Sequence, residues 1–487
     1  MAVQSSDLAA VAGANLIGGH WQPGSGTGGY DVLNPSNPSD VLASVQACDA
    51  SDVDAAVAAA EEAAAEWRST PAAVRGAILT RAAAVIDADV EAIAALMSRE
   101  MGKPLREARG ETARAAAILR YFGGECWRPV GQLYEQSTTG APVYTMRRPL
   151  GVVALITPWN FPLAIPTWKL APALAYGNAV VLKLAQPASL TGLALARALE
   201  AAGLPAGVLN VLLGSGSMVG PRLTSHPSVA AISFTGSEAT GQGVRDAATR
   251  NGKRVQLELG GQNPLIVMAD ADLERAAAAA CAGAFWSAGQ KCTATRRILV
   301  QDGAYDRFAQ ALVAAASAVK VGDAEDPETV VGPIVSEDQL SEVLEGVERG
   351  RDEGATVLAG GERAQRPGWF LPPTIFESAG PEAFLSREEI FGPVTTLYRF
   401  GTLEEALAQA NSVRFGLSAS IFTSGLASAR QFVDGVAAGI VHVNSQTAGA
   451  DVHVPFGGVK SSGFGPHEQG QAAAEFYTEQ ITVYEDI

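Results

Sequence analysis

The sequence predicts an α/β protein built on a parallel, doubly wound sheet. Between residues 151 and 259, short apolar runs alternate with segments whose apolar residues recur at helical spacing. A second alternation of this kind runs from Cys292 to about Asn444. Buried strands separated by helices at this pitch are typical of parallel sheets with helices on both faces. At 487 residues, the chain is long enough for two or three domains.

The beginning of the chain, to about residue 50, predicts short strands and turns. Residues 24–29 match the dinucleotide-binding pattern G-x-G-x-x-G by letter. Residues 30–35, which follow, are typical of a strand and a turn, whereas this fingerprint needs a helix at that point. We therefore reject the match.

A long helical region follows, from Ser51 to about Tyr121, because apolar positions recur at helical spacing through its Ala-, Glu- and Arg-rich runs. Ser51 with Asp54 is the predicted cap, and residues 102–104 (Gly-Lys-Pro) break the run once. Residues 125–148 differ, because they carry scattered aromatic and β-forming residues. They predict an extended arm or hairpin.

The alternating region then predicts its strands and helices in turn. The strands are predicted at 151–156, 178–183, 208–213, 230–234 and 254–259. The helices between them are predicted at 168–176, 190–202, 218–223 and 238–250. In the second alternation, strands are predicted near Ile298, Thr395 and Ile440, and residues 480–484 predict a further edge strand.

Composition excludes several classes of protein. The net charge of −16 and the pI near 4.9 argue against a nucleic-acid partner or an anionic membrane surface. The four cysteines have neither metal-ligand nor disulfide-framework spacing, so no metal site is predicted. The sequence shows no signal peptide and no apolar run of membrane-spanning length. A cytoplasmic location is expected, where a free thiol survives.

Cys292 is the candidate nucleophile. It follows an alanine-rich helical run, and the helix-breaking Gly289 and the cations Lys291 and Arg296 lie close to it in sequence. A thiol on a loop beside positive charge is expected to have a lowered pKa. The alternative is an inert buried cysteine, so Cys292 alone decides nothing.

Two stretches at predicted strand ends offer partners for a nucleophile. In residues 157–162, two prolines fix a loop on which Asn160 offers an amide donor for an oxyanion. Glu258 ends a strand next to two glycines that allow close backbone approach, and in a closed site its raised pKa would suit a general base. The alternatives are a rigid turn and a solvated strand-end glutamate.

Further stretches fit a nucleotide. Residues 234–237 (Phe-Thr-Gly-Ser) place a hydroxyl at a helix start, which suits a phosphate but also an ordinary helix cap. Residues 214–217 give a weaker phosphate signal. Glu389 and Phe391 combine a carboxylate for sugar hydroxyls with a ring for planar stacking, although a turn with a packed phenylalanine is the alternative.

Taken in this order, together with residues 455–458 (Pro-Phe-Gly-Gly) and Lys460, these stretches resemble the aldehyde dehydrogenase superfamily over nearly the whole chain. The resemblance implies a Rossmann-like cofactor domain that lacks the usual glycine fingerprint, a second α/β catalytic domain and a β oligomerisation arm. It implies that these comprise residues 1–124 with 149–257, residues 258–446, and residues 125–148 with the 447–487 tail. A homodimer or homotetramer is expected, because the arm and the terminal strand would otherwise leave backbone groups unpaired.

The resemblance also implies roles for individual residues. Cys292 attacks the aldehyde carbon, Asn160 and the Cys292 backbone N–H hold the oxyanion, and Glu258 activates the water that hydrolyses the thioester. NAD or NADP accepts the hydride. The implied cofactor-binding residues are Thr157, Trp159, Lys183, Gln186, Gly216, Phe234, Gly236, Ser237, Leu259, Glu389 and Phe391.

One position departs from the family pattern. The family often has a glutamate three residues after the lysine that matches Lys183, and this chain has Gln186. A carboxylate binds the adenosine ribose hydroxyls and repels a 2′-phosphate, whereas a glutamine does not repel it. NADP use at least comparable to NAD use is therefore expected.

Residues 447–458, 465–470 and 475–478, with 289–295, are similar to 2-oxoglutarate semialdehyde (2,5-dioxopentanoate) dehydrogenases. Arg296 and Gln446 are candidates to bind the substrate carboxylate. Succinate semialdehyde and aromatic aldehydes are the alternative substrates, and Glu258 disfavours a CoA-acylating reaction because it supplies a base for water. A catalytically inactive homologue is the alternative from another class, and the combination of Cys292, Glu258 and Asn160 argues against it.

Overall fold

The computed structural model describes residues 13–128 and 131–485. Within these ranges, most strands belong to two large sheets, and the others form a three-stranded sheet and a two-stranded ribbon. The strands are, in chain order, β1 (Asn15–Ile17), β2 (His20–Gln22), β3 (Gly29–Asn34), β4 (Asn37–Gln46), β5 (Leu133–Glu135), β6 (Pro142–Pro149), β7 (Val152–Ile156), β8 (Ala179–Leu184), β9 (Leu209–Leu213), β10 (Val229–Thr235), β11 (Arg254–Glu258), β12 (Asn263–Val267), β13 (Thr295–Gln301), β14 (Thr356–Ala359), β15 (Thr374–Glu377), β16 (Val394–Phe400), β17 (Ser418–Phe422), β18 (Ile440–Val443), β19 (Gly463–Phe464) and β20 (Thr478–Tyr484).

Helices connect these strands and cover the sheets. The α-helices are Ala50–Ser69, Ala72–Ala88, Val90–Met101, Leu105–Glu125, Ala164–Ala175, Ser189–Ala201, Gly216–Ser225, Glu238–Arg250, Leu273–Phe285, Tyr305–Ser317, Glu337–Asp352, Phe384–Arg387, Leu403–Asn411, Leu426–Gly435 and Ala473–Tyr477. Short 3-10 helices are Gln186–Ala188, Trp286–Gly289, Asp302–Ala304, Lys460–Ser462 and Gly470–Ala472. In the described parts of the chain, no helix combines the length and the apolar character needed to cross a membrane.

The first large sheet has the strand order β19-β11-β10-β7-β8-β9-β1-β2. Its five central strands, from β11 to β9, run parallel and are almost entirely buried. This confirms the predicted parallel sheet. Its strands are continuously apolar because they are covered on both faces. The register places Ile156 opposite Lys183 and Thr235 opposite Glu258, so these strands end at one edge of the sheet.

The second large sheet has the order β14-β15-β16-β13-β12-β17-β18, and its strands are parallel except at the β14 edge. Residues 259–262 link β11 of the first sheet to β12 of the second. Cys292 lies just before β13, the neighbour of β12. The connection between the sheets therefore lies beside the candidate nucleophile.

Two details of the first helical region differ from the prediction. The first helix is capped by Asp49, which accepts hydrogen bonds from the backbone N–H groups of Ser51 and Asp52, and Asp52 in turn accepts from Asp49 N. The predicted cap at Ser51 is therefore wrong, since Asp49 offers the same acceptor chemistry earlier in the chain. The region is also broken more than once, because helices end near Thr70 and Asp89 as well as at Gly102.

The arm and the terminal strand form one sheet with the order β20-β6-β5. β6 is central and pairs antiparallel with both neighbours. The arm and the terminal strand therefore pair with each other along their shared edge. The expectation that each would need another chain is wrong for this edge. In this sheet, the outer edges of β5 and β20 have no neighbouring strand within the described residues, and Leu133 and Tyr484 on them are 76% and 67% exposed.

Candidate active site

A cavity of about 300 Å³ lies where the loops after the first sheet meet the loop that carries Cys292. Residues from widely separated parts of the chain meet in its walls. Those that the sequence had singled out are Trp159, Asn160, Gly236, Ser237, Leu259, Cys292, Glu389 and Phe391. The lining residues that were not predicted individually are Pro158, Thr235, Gly260, Gln339, Glu342, Val343, Phe384 and Ile390. Half of these, namely Pro158, Thr235, Gly260 and Ile390, adjoin a predicted residue in sequence, which was the available signal. The other half had no such signal.

The loop before Cys292 has an unusual backbone. Ser287 and Ala288 have φ values of 57° and 52°, and Gly289 follows at 66°. Residues other than glycine rarely adopt this left-handed backbone conformation, so the loop depends on contacts that hold it. Glu107 provides one of them, because its carboxylate accepts hydrogen bonds from both the backbone N–H and the hydroxyl of Ser287.

The segment after the nucleophile is fixed through its carbonyl groups. Asn263 Nδ2 donates to the carbonyl oxygens of Cys292, at 2.8 Å, and of Ala294, at 2.9 Å. Thr447 Oγ1 donates to Thr293 O at 2.8 Å. Neither Asn263 nor Thr447 was predicted to support the site, since both lie far from Cys292 in sequence.

The expectation of a lowered Cys292 pKa is wrong for the free protein. Burial raises the pKa of the thiol to about 12, and the negative charges of Glu389 and Glu258 raise it further. The neighbouring cations point elsewhere: Lys291 Nζ donates to Ala282 O, and the Arg296 guanidinium donates to Gly289 O and Gly392 O. Lys291 and Arg296 are close to Cys292 in sequence, but they do not offset the effect of burial on the thiol.

These hydrogen bonds occupy part of the guanidinium of Arg296, which was one of the two candidates to bind the substrate carboxylate. Arg296 is buried, and its guanidinium carbon lies 5.8 Å from the centroid of the Phe391 ring. Its two terminal nitrogens donate to backbone carbonyls, whereas its Nε has no partner within the described residues. Gln446 is partly exposed and its Oε1 has no hydrogen-bond partner among the described residues.

Asn160 is held rigidly on the wall of the cavity. Its side-chain Nδ2 donates to Gln290 O at 3.0 Å, and its backbone carbonyl accepts from Lys103 Nζ at 2.8 Å. Lys103 is buried and paired with Glu111. An amide nitrogen has two hydrogens, so one remains for a ligand oxygen.

Glu258 is buried behind the cavity surface. Burial raises the pKa of its carboxyl well above the usual range, the negative charge of Glu468 adds to this effect, and Lys169 opposes it. Gln256 Nε2 donates to Glu258 Oε1 at 3.4 Å, whereas Oε2 has no partner within the described residues. Lys169 and Glu468 form a buried ion pair. The sequence does not predict this pair, because the two residues lie about 300 positions apart.

Glu389 closes another wall. Burial raises its pKa to about 7, and its Oε1 accepts a hydrogen bond from Gly261 N at 3.1 Å. A Cβ atom on Gly260 would lie 2.1 Å from Glu389 Oε2, which explains the predicted close approach at the two glycines. The Phe391 ring packs edge-on against Trp159 with centroids 5.4 Å apart.

The described residues fit a nicotinamide dinucleotide along the edge of the first sheet. Lys183 is buried, and burial lowers its pKa to about 8, although the nearby Cys48 opposes this effect. Ser237 caps the helix Glu238–Arg250, and the N-terminus of a helix carries backbone N–H groups of the kind that bind phosphate. A Cβ on Gly236 would meet the Phe234 ring at 2.6 Å, so a larger residue there would require this ring to move.

The remaining predicted residues lie near this edge without lining the cavity. Thr157 follows β7, and its N–H donates to Lys183 O at 3.1 Å. Gln186 begins the 3-10 helix after β8 and is partly exposed. Gly216 is the first residue of the helix Gly216–Ser225, which Ser215 caps. The structure thus places these positions at strand ends and helix starts, as the sequence predicted.

Comparisons with known proteins agree with this geometry. The profile of the aldehyde dehydrogenase family matches residues 21–483. An alpha-ketoglutaric semialdehyde dehydrogenase of Bacillus subtilis (strain 168) is 45% identical over 96% of this chain and 97% of its own length. An alpha-ketoglutarate semialdehyde dehydrogenase of Haloferax volcanii is 44% identical over 97% of this chain and 98% of its own length.

Among solved structures, the crystal structure of an E. coli NADP-dependent enzyme superposes with a TM-score of 0.95. It is 38% identical, and the match covers 99% of each chain. The likeness therefore extends to both large sheets and to the terminal arm.

Proposed function

Because the chain belongs to the aldehyde dehydrogenase family and is an NAD(P)-dependent enzyme of that family, we propose that it oxidises 2-oxoglutarate semialdehyde to 2-oxoglutarate. The observation that carries this substrate is the identity of 44% to 45% with two relatives that are named for it. The joint position of Cys292 and Asn160 in one cavity supports the reaction itself.

The proposed chemistry begins at Cys292, whose thiol loses its proton to water. The resulting thiolate attacks the aldehyde carbon and forms a thiohemiacetal in its oxyanion form. The free N–H of Asn160 Nδ2 and the backbone N–H of Cys292 stabilise the oxyanion. The bound nicotinamide supplies the acceptor for the hydride. Loss of that hydride leaves a thioester on Cys292, and Glu258 takes a proton from the water that hydrolyses it. The carboxylic acid then leaves and the thiolate is restored.

We propose the binding roles that the family resemblance implies. We assign Lys183 and Gln186 to the adenosine ribose, and Gly216, Gly236 and Ser237 to the phosphates. The residues assigned to the nicotinamide end and its pocket are Thr157, Trp159, Phe234, Leu259, Glu389 and Phe391. In this proposal, residues 1–124 and 149–257 bind the dinucleotide and residues 258–446 carry catalysis, while 125–148 and 447–487 form the arm and tail.

A panel of aldehydes tests the substrate. We expect kcat/KM to be highest for 2-oxoglutarate semialdehyde, and lower for succinate semialdehyde, benzaldehyde and uncharged aliphatic aldehydes. Each aldehyde is assayed with NAD and with NADP, which separates substrate preference from cofactor preference. A clear preference for succinate semialdehyde or an aromatic aldehyde would contradict the proposed substrate.

The preference between NAD and NADP tests the role proposed for Gln186. We expect NADP to be used at least comparably to NAD, because Gln186 carries no charge to repel a 2′-phosphate and the Lys183 ammonium lies on the adjoining strand. Gln186→Glu should shift the kcat/KM ratio toward NAD by about 10- to 100-fold, the scale of a charged hydrogen bond gained or lost. A wild-type preference for NAD above about 100-fold would show that another group excludes the phosphate.

Assembly is proposed from the arm sheet. We propose a homodimer or homotetramer in which the outer edges of β5 or β20 pair with another copy, since exposed strand edges and the exposed Leu133 and Tyr484 favour burial. Light scattering is expected to give two or four times the chain mass of 50.2 kDa. An active monomer at that mass would contradict it.

A cytoplasmic location is proposed as well, since the described cysteines, including the nucleophile, are free thiols. Cell fractionation that recovered the activity outside the cytoplasm would overturn this location.

A further inference from the structure

The helix Leu105–Glu125 supports both catalytic loops with one of its faces. Glu107 holds Ser287 in the loop before Cys292, as described above. Glu111 Oε1 accepts hydrogen bonds from the backbone N–H groups of Leu163, at 2.9 Å, and Ala164, just after Asn160. Arg114 follows at the spacing that puts a third residue on the same helix face. Arg114 therefore continues the face that positions the nucleophile and the oxyanion donor.

Arg114 is a partly buried cation whose donors are incompletely used. One guanidinium nitrogen donates to Gln469 Oε1 at 3.3 Å, and its Nε is buried without a partner within residues 13–128 and 131–485. In those ranges, no carboxylate lies within 4 Å of it. The acidic groups whose fields reach it are Glu111, already paired with Lys103, and Asp451. Leaving such a charge without a counter-ion is unfavourable, so the site favours an anionic ligand.

Gln469 adds a second unused donor. Its side chain is fully buried, its Oε1 accepts from Arg114, and its Nε2 has no partner among the described residues. Arg114 Nε and Gln469 Nε2 thus belong to side chains that contact each other and both lack acceptors. Because buried donors are normally satisfied, the pair indicates that an acceptor is supplied from outside the chain.

Aromatic side chains connect this pair of donors to the catalytic residues. The Arg114 guanidinium lies 5.9 Å from the centroid of the Trp168 ring, which in turn lies 5.5 Å from that of Phe456. Gly457 follows, and a Cβ atom on it would lie 3.0 Å from Glu258 Oε1. Trp168, Phe456 and Gly457 therefore connect Arg114 to Glu258 through successive contacts.

We propose that Arg114, assisted by Gln469, binds the terminal carboxylate of an aldehyde that carries a carboxylate at its far end. The proposal rests on the aldehyde oxidation proposed above and names the group that selects its substrate. A guanidinium binds a carboxylate through two parallel hydrogen bonds, and the rings of Trp168 and Phe456 pack against the carbon chain between the two ends. Both 2-oxoglutarate semialdehyde and succinate semialdehyde belong to this class.

The test compares charged and uncharged aldehydes of similar length. Arg114→Met should lower kcat/KM for 2-oxoglutarate semialdehyde and succinate semialdehyde by about 30- to 100-fold, mainly through KM, because a charged hydrogen-bond partner is lost. The value for pentanal should change by less than about threefold, since pentanal has no carboxylate to lose. Arg114→Lys should restore part of the loss, because it keeps the charge but not the planar fork.

A matched control comes from the same helix. Arg106 is exposed and its guanidinium lies 5.6 Å from the centroid of the Trp286 ring, so Arg106→Met removes an equal charge from the same element. We expect it to leave kcat/KM for all three aldehydes within about threefold of wild type.

The outcomes separate the inference from the proposed substrate. Equal losses for pentanal and the charged aldehydes in Arg114→Met would overturn the inference, because they would indicate structural support only. A wild-type enzyme without preference for carboxylated aldehydes would overturn both the inference and the substrate. A wild-type preference for succinate semialdehyde that disappears in Arg114→Met would support the inference while replacing the proposed substrate.

Discussion

Replacement of Cys292 by alanine is expected to lower kcat for aldehyde oxidation by at least about 10⁴-fold, because no other group can form the covalent intermediate. The other described thiols are unsuited to this role, because none of Cys48, Cys126 and Cys281 lines the cavity. Cofactor affinity should stay within about threefold of wild type, since alanine is smaller than cysteine and removes no cofactor contact. Quenching of tryptophan fluorescence can report it, because Trp159 lines the same cavity.

Cys281→Ala is the matched control, because it removes a buried thiol from the helix that precedes the nucleophile. It should retain nearly full activity. Steady-state turnover by Cys292→Ala close to that of this control would contradict the assignment of the nucleophile.

The raised pKa of Cys292 gives the same assignment a pH signature. Since burial raises the pKa of the thiol to about 12, only a small fraction is thiolate in the free protein at neutral pH. Alkylation of Cys292 by iodoacetamide should therefore accelerate by about tenfold per pH unit between pH 7 and 9, without a plateau. A plateau near pH 8 would show that the pKa is lowered instead. The rate is measured in the free enzyme, with Cys292→Ala as the blank.

The fold could be predicted from sequence because its signals are local. Continuous apolar runs such as residues 152–156 and 179–184 require cover on both faces, and this requirement indicates a parallel sheet without knowledge of the partner strands. The candidate residues near Asn160 and Glu258 were predictable for the same reason: both follow such runs, and parallel strands end at one edge.

The supporting contacts could not be predicted, because they join distant segments. Glu107 reaches Ser287 only because of how the helix Leu105–Glu125 packs, and nothing in the local sequence fixes that packing. The prediction of a lowered pKa for the Cys292 thiol was wrong for a related reason. The sequence places Lys291 next to the thiol, but the backbone turns its ammonium toward Ala282 O, and burial then dominates.

Glu258→Gln is expected to block the second half of the reaction more than the first. A glutamine keeps the size of the side chain but cannot accept a proton from water, so thioester hydrolysis should slow by about 10²- to 10⁴-fold, the range of general-base catalysis. Hydride transfer precedes this step and should persist. Rapid mixing should therefore show a burst of reduced cofactor near one equivalent per active site, followed by very slow turnover. Glu61→Gln, an exposed carboxylate on the helix Ala50–Ser69, is the control that should behave as wild type.

The pH dependence of hydrolysis gives Glu258 a second readout. Burial and the negative charge of Glu468 raise the pKa of Glu258 well above its usual range, so this base becomes ionised at a higher pH than an ordinary glutamate. Where hydrolysis limits turnover, kcat should rise with pH in the wild type, and this rise should be lost in Glu258→Gln. A variant without a burst, whose first turnover is slowed as much as the later ones, would mean that Glu258 acts on Cys292 before hydride transfer. In that case its unpartnered Oε2 serves the thiol, and another group must activate the water.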